Sequence, residues 1–271
     1  MKKLLIKFLD KAGYRLQKKN KNDAEQNAII HQGKEIVKKI SPDFSILNGP
    51  FKGMKYPSID FTEMALVPKI LGSYELQLNN WVYEIGQSNY ETILDVGCAE
   101  GYYAVGFGRM LPKTIVHCFD INESDLQFCR KMAGLNKVSN LEYHNFCSPE
   151  TLMNFNFGKK SLIFCDCEGY ELELFTDAAI QSLKNTDVLV ELHDVVNPVI
   201  SETIIKRFNK THDVQLVNNS NQDYTKLQGL DNLTPREKAF ATLEHRGGNY
   251  RNIFMEWAFF TPKIKAEYAR N

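Results

Sequence analysis

From residue 91 onward the apolar positions fall in short unbroken runs, separated by stretches in which they recur at helical spacing. ETILDV, TIVHCFD, NLEYHNF, KSLIFCD and DVLVELHD read as five successive strands. GYYAVGFGRML, ESDLQFCRKMAGLN, the stretch from CEGYE through Leu183 and NPVISETIIKRFNKT read as helices between and after them. Pro112 closes the first helix, Asn122 stands just before the second, and Gly134 lies near its end. Two further strands, DVQLVN and FMEWAFFTP, bracket a long polar loop. Strands that are apolar throughout and joined by helical crossovers predict a parallel sheet covered on both faces. The Trp/Phe-rich last run suits a mixed edge beyond the fifth strand.

The chain before residue 91 has a different texture. Residues 41–60, SPDFSILNGPFKGMKYPSID, carry the Pro, Gly and Asn punctuation of turns between short strands. EMALVPKILGSYELQLNNWVYEIGQSN then reads as helical, broken at Pro68 and Gly72. In the first twenty residues Leu4, Leu5, Phe8 and Leu9 share one face of a helix and lysines take the other. The predicted division is a basic amphipathic arm over 1–40, a cap of hairpin and helix over 41–90, an α/β domain over 91–262 and a polar tail over 263–271.

Composition narrows the partners. Lys+Arg and Asp+Glu are both 33, so no net basic field points to nucleic acid. The six cysteines lie between Cys98 and Cys167 and read as reduced thiols of a cytoplasmic protein. No apolar stretch is long enough to cross a bilayer, and Lys7 and Asp10 interrupt the one that imitates a signal peptide. The arm's apolar face is expected to cover its own domain, a second subunit of a homo-oligomer, or a weak contact with a membrane surface.

Open sheets of this kind collect ligands at the carboxyl ends of their strands, where the strand order reverses. The first strand ends at Asp95 and runs into Gly97-Cys98-Ala99-Glu100-Gly101. The second ends at Asp120, about twenty residues past that turn, as a ribose-binding acid requires. The turn is therefore expected to be bare because a nucleoside lies on it. A pyrophosphate would need unobstructed N–H groups at the helix start; Glu100 there repels phosphate and accepts from an ammonium group. That favours S-adenosylmethionine (SAM) over NAD.

LDVGCAEGYYA followed by HCFDIN resembles the signature of class I SAM-dependent methyltransferases. IFCDCEGYELELF and VLVELHD resemble the FkbM-type members, which act largely on hydroxyls of sugars and small molecules. GPFKGMKYP, LGSYE and MEWAFFTP resemble members found in polysaccharide loci. The similarity runs from about residue 45 to 262. It implies an α/β fold, a doubly wound, mostly parallel, seven-stranded Rossmann-like sheet with an N-terminal appendage. It also implies SAM as cofactor, held by Asp95, Gly97, Cys98, Glu100, Gly101 and Tyr102, with Asp120 and Ile121 at the ribose. Asn145, Phe146 and Cys147 would flank adenine, Phe146 serving either the adenine face or the core.

Methyl transfer to an alcohol needs an acceptor for the hydroxyl proton. Asp166, Glu168, Glu191, His193 and Asp194 are expected to converge at the ends of the fourth and fifth strands. His193 has the suitable intrinsic pKa and reads either as the base or as a brace; Asp166 and Glu191 are the other catalytic candidates. By analogy with related sugar O-methyltransferases, Asp166, Glu168 and Asp194 are candidate ligands for Mg2+ or Mn2+. Glu168 and, in the LEHRGGNYR loop, His245, Arg246 and Arg251 are candidate contacts to a sugar or nucleotide-sugar acceptor, unless the loop's charges are only solvated. The expected function is thus sugar O-methylation in surface polysaccharide biosynthesis. An NAD-dependent sugar dehydrogenase or epimerase, or a catalytically silent nucleotide-binding partner, are the alternatives.

Overall fold

β1 (Thr92–Val96) lies at the centre of a seven-stranded sheet, flanked in parallel by β2 (Ile115–Phe119) and β4 (Ser161–Cys165). β3 (Leu141–His144) extends the sheet beyond β2, and β5 (Asp187–Leu192) extends it beyond β4. β7 (Glu256–Pro262) follows β5 antiparallel, and β6 (His212–Asn218) pairs antiparallel with β7 at the edge. The resulting order, β3-β2-β1-β4-β5-β7-β6, is a doubly wound, mostly parallel, Rossmann-like sheet, as expected. The computed structural model describes residues 23–60, 65–218, 222–243 and 256–263.

The Trp/Phe-rich strand lies beyond the fifth and antiparallel to it, as expected, but the outermost strand is β6. Trp257, Ala258, Phe259 and Phe260 are all buried, so β7 is apolar on both faces and belongs inside the sheet. β6 is exposed or half-buried after His212, with Leu216 exposed, and tolerates the edge.

Side chains alternate between two cores. Ile93, Leu162, Phe164 and Leu189 point into one; Leu94, Val96, Ile163, Cys165, Val188 and Val190 point into the other. The first is closed by α1 (Asp23–Ile40), α2 (Leu66–Leu71), α3 (Asn79–Gly86), α4 (Tyr102–Met110) and α5 (Glu123–Leu135). The second is closed by α6 (Pro149–Asn154), α7 (Glu171–Leu174), α8 (Asp177–Ser182) and α9 (Ile200–Phe208). The helix expected through Leu183 is thus two short ones, because Thr176 caps α8 by accepting the Ala179 N–H. The polar loop between β6 and β7 contains α10 (Pro235–Ala241), opened by a Thr234–Glu237 capping box.

The cap shares the first core with the sheet. Ile46, Phe51, Met54 and Tyr56 are buried there, and the Phe51 ring meets those of Tyr102 and Phe107 on α4 edge-on. Ile36 and Val37 of α1 join the same core, so residues 23–40 pack on the cap. The Leu4, Leu5, Phe8 and Leu9 face lies outside the described residues. No helix among the described residues is long and apolar enough to cross a membrane. All six cysteines are free thiols.

Candidate functional site

The turn after β1 is pinned from two sides. The Gly97 and Cys98 N–H groups both donate to the Phe119 carbonyl, at 2.8 and 3.1 Å, and Asp166 N–H donates to the Val96 carbonyl at 2.9 Å. The turn therefore sits where β1 parts from β4, at the reversal of strand order. Gly97 has φ +86°, and a Cβ on it would stand 1.7 Å from the Asp166 carbonyl oxygen. Gly101 has φ +98°, and a Cβ there would stand 2.5 Å from Cys129 Sγ. Bareness in this turn thus answers first to the protein's own packing, which the expectation of a turn cleared for a nucleoside had missed.

Asp120 holds the turn in shape. Its Oδ2 accepts from Ala99 N–H at 2.9 Å and its Oδ1 from Asn122 N–H at 2.7 Å. Burial raises its pKa, and the two backbone donors oppose that rise. Each oxygen keeps a second lone pair that a diol can use. Behind the turn Asp95 is wholly buried, and its Oδ2 has no hydrogen-bond partner. Burial first, then the neighbouring Cys129, Asp166, Asp120 and Glu100, push its pKa well above the carboxylate range. Ile121 and Phe146 are exposed apolar side chains at the ends of β2 and β3, and the Phe146 ring lies 5.6 Å from that of Tyr170. Asn145 is exposed beside them.

Four residues expected at the cofactor face elsewhere. Glu100 is buried, accepting from Lys69 Nζ at 2.7 Å and from Tyr56 Oη at 3.0 Å. The ammonium group inferred for it is therefore supplied by the protein, because a buried carboxylate needs a partner at all times. Tyr102 lies buried among Phe51, Tyr74 and Tyr103. The Cys98 thiol faces Cys118 and Cys129, leaving only its backbone in the turn. Cys147 belongs to the second core, where burial pushes its thiol up to about 12.

At the ends of β4 and β5 four carboxylates surround one imidazole. His193 Nδ1 bonds Glu171 Oε1 at 2.5 Å; Nε2 stands 3.4 Å from Asp166 Oδ1, 3.4 Å from Glu191 Oε2 and 3.6 Å from Glu168 Oε2. His193, Glu171 and Glu191 are buried, Asp166 is part-exposed and Glu168 lies open to solvent. Burial alone would lower the His193 pKa, but hydrogen bonds to Glu171 and Glu191 and the charges of Glu191 and Asp166 raise it to about 12. A positive imidazolium is what lets so many acids share the site. It also removes His193 as a neutral proton acceptor, so of the two readings of this residue the geometry favours the brace.

Asp194 does not join the group. It is exposed and its Oδ1 accepts from Ser201 N–H at 2.8 Å, at the start of α9. The ligand atoms that lie within 4.8 Å of one another are those of Asp166, Glu191 and His193, in place of the expected Asp166, Glu168 and Asp194. This oxygen and imidazole set fits a divalent cation, with Nδ1–H on Glu171 orienting the ring, but a cation would have to displace the Nε2 proton. His245, Arg246 and Arg251 lie outside the described residues.

Lys69, Tyr56 and Glu171 were not singled out from the sequence. Lys69 carried a signal: a lone charge inside the apolar run LVPKIL implies a buried partner. Glu171 similarly precedes the buried Leu174 and Phe175, on a short helix that faces the second core.

No protein-family model matches the sequence, and no curated protein matches it. Among solved structures, the chain is similar to cofactor-bound Rv0187 from MTB, with a TM-score of 0.47, 11% identity and 95% of each chain covered. It is similar to an rRNA methylase from Streptococcus thermophilus, with a TM-score of 0.45 and 11% identity over 69% of this chain and 97% of that one. A precorrin-6y C5,15-methyltransferase from Geobacter metallireducens gives a TM-score of 0.42 and 10% identity over 69% and 92%. These likenesses are remote, and the chemistry of the site rests on its own residues.

Proposed function

We propose that the chain is a SAM-dependent O-methyltransferase whose acceptor is a hydroxyl of a sugar or nucleotide-sugar, in surface polysaccharide biosynthesis. The observation that carries the proposal is the placing of Asp120 and Asp166 on either side of one glycine turn at the switch point of the sheet. Such a site attracts a cation and repels a pyrophosphate, which favours a sulfonium cofactor over a dinucleotide. Asp120 would accept from the ribose hydroxyls, with Ile121 and Phe146 beside the base. The sugar acceptor rests on the resemblance of IFCDCEGYELELF and VLVELHD to FkbM-type enzymes.

SAM bound there would supply a methyl group on a positively charged sulfur that leaves as a neutral thioether. The chain's own part is to receive the acceptor's proton and hold the acceptor hydroxyl in line. Asp166 is suited to the first task, since its backbone touches the cofactor turn and its carboxylate is part-exposed. The proton passes from the hydroxyl to an Asp166 oxygen as the new C–O bond forms. His193, held cationic by Glu171 and Glu191, fixes that carboxylate's surroundings. The imidazolium offsets one of the cluster's four carboxylate charges.

Calorimetry with SAM, S-adenosylhomocysteine and NAD tests the cofactor. Binding of the first two without NAD is expected, whereas preference for NAD would replace this reading with a dehydrogenase or epimerase. Mass spectrometry of nucleotide-sugars incubated with SAM tests the acceptor, and S-adenosylhomocysteine binding with no turnover on any of them would point to a silent partner.

A further inference from the structure

A second cluster lies on the β2–β3 half of the sheet, away from the acids of β4 and β5. His117 and Glu142 are paired across β2 and β3, and His144, two residues beyond Glu142, shares their face. His117 Nδ1 is 3.0 Å from His144 Nε2 and 3.3 Å from Glu142 Oε2, and the three ligand atoms all lie within 4.8 Å of one another. The rings are held in place: His144 stacks on Phe119 with centroids 4.5 Å apart, and His117 meets Phe155 edge-on at 4.8 Å.

We infer that His117, Glu142 and His144 form a site for a borderline transition-metal ion of the Zn2+ class. Hydrogen bonding alone would have one Nδ1–H shared between the His144 nitrogen and the Glu142 carboxylate, a three-centre bond weaker than either made singly. Nδ1 of His117 has one proton or one lone pair, and it faces both an imidazole nitrogen and a carboxylate oxygen. A cation satisfies all three atoms at once. Two imidazole nitrogens and one carboxylate are a recurrent zinc ligand set that leaves a fourth position for water. Nitrogens bound to tetrahedral zinc lie about 3.3 Å apart, so the pair must open by only a few tenths of an ångström. Glu142 is exposed, which provides the way in, while burial keeps both imidazoles below their ordinary pKa.

The ion would tie the edge strand β3 to β2. The His144 carbonyl accepts from Asp120 N–H at 3.2 Å, so the tie ends at the loop that shapes the glycine turn. The inference does not depend on methyl transfer, and its test is one of metal binding and stability. Tag-free protein stripped with a chelator is titrated with Zn2+ by calorimetry and with Co2+ by visible absorption. One equivalent is expected to bind, with the intense visible bands of tetrahedral Co2+ and a rise in melting temperature under excess Zn2+. His117→Ala and His144→Ala should remove binding, and Glu142→Gln, an exposed and conservative change, should weaken it at least tenfold. Asp166→Asn/His193→Gln, which dismantles the other cluster, should leave the titration unchanged. No saturable binding in the wild type, or loss in the Asp166/His193 variant but not in Glu142→Gln, would overturn the assignment.

Discussion

Lys69 Nζ lies 2.7 Å from Glu100 Oε1, and both side chains are buried. The pair ties α2, in the segment before the sheet, to the first turn after β1. With Tyr56 on the same oxygen, it joins the cap to the glycine turn through three residues far apart in the chain.

Breaking one side of that pair leaves an uncompensated buried charge. Lys69→Met should cost roughly 3–5 kcal/mol in urea unfolding, and adding Glu100→Gln should recover most of it. Equal stability of the single variant and the wild type would mean that the pair is solvated in solution.

Asp120→Ala should weaken SAM binding by roughly 1–3 kcal/mol, the cost of charge-assisted bonds lost to a buried diol. Calorimetry reads this directly. Some of the loss will come from the Ala99 N–H released from Oδ2, so Asp120→Asn, which retains an acceptor, should be milder.

Gly97→Ala has no low-cost solution. A Cβ would meet the Asp166 carbonyl oxygen at 1.7 Å, and the backbone would keep φ +86°. Loss of folded protein or of all cofactor binding is expected, by thermal melt and calorimetry. A well-folded variant with normal affinity would show that the turn can rearrange.

His193 offers a test by pH. Its folded pKa of about 12 exceeds the ordinary value of 6.5, so its pairing adds stability that is fully present below pH 6.5. That contribution falls as pH rises toward 12. The stability gap between wild type and His193→Gln should therefore narrow from pH 6 to pH 10. The His193 ring resonances should not titrate between pH 5 and 9, and a midpoint near neutrality would restore it as the base.

Asp166→Asn should lower turnover by roughly 10²- to 10⁴-fold, the usual contribution of a positioned proton acceptor. SAM affinity should fall less than in Asp120→Ala, since Asp166 lends the turn its charge but makes no ribose bond, and exhaustive chelation should leave wild-type turnover intact. Rescue of the variant by added Mn2+ would move the chemistry to a metal.

The strands, most crossover helices and the glycine turn were legible because each is written locally. Apolar runs, helical spacing and the punctuation at Pro112 and Asn122 act over a few residues, and they sufficed to derive the covered sheet and its switch point. Asp95, Asp120 and Asp166 followed, since a residue at a strand's carboxyl end is located by that strand alone. Partners across the fold were not available in that way. Which strand lies inside the sheet, which base pairs with which acid and what fills the space beside a glycine depend on residues distant in sequence. Glu100 took its ammonium from Lys69, Asp194 turned to Ser201 N–H, and Glu171 reached His193, each because a buried or half-buried polar group must find the nearest partner in space. Local pattern determined the elements and the place of the site; only tertiary packing decided the charge state of its imidazole and which side chains remain for a ligand.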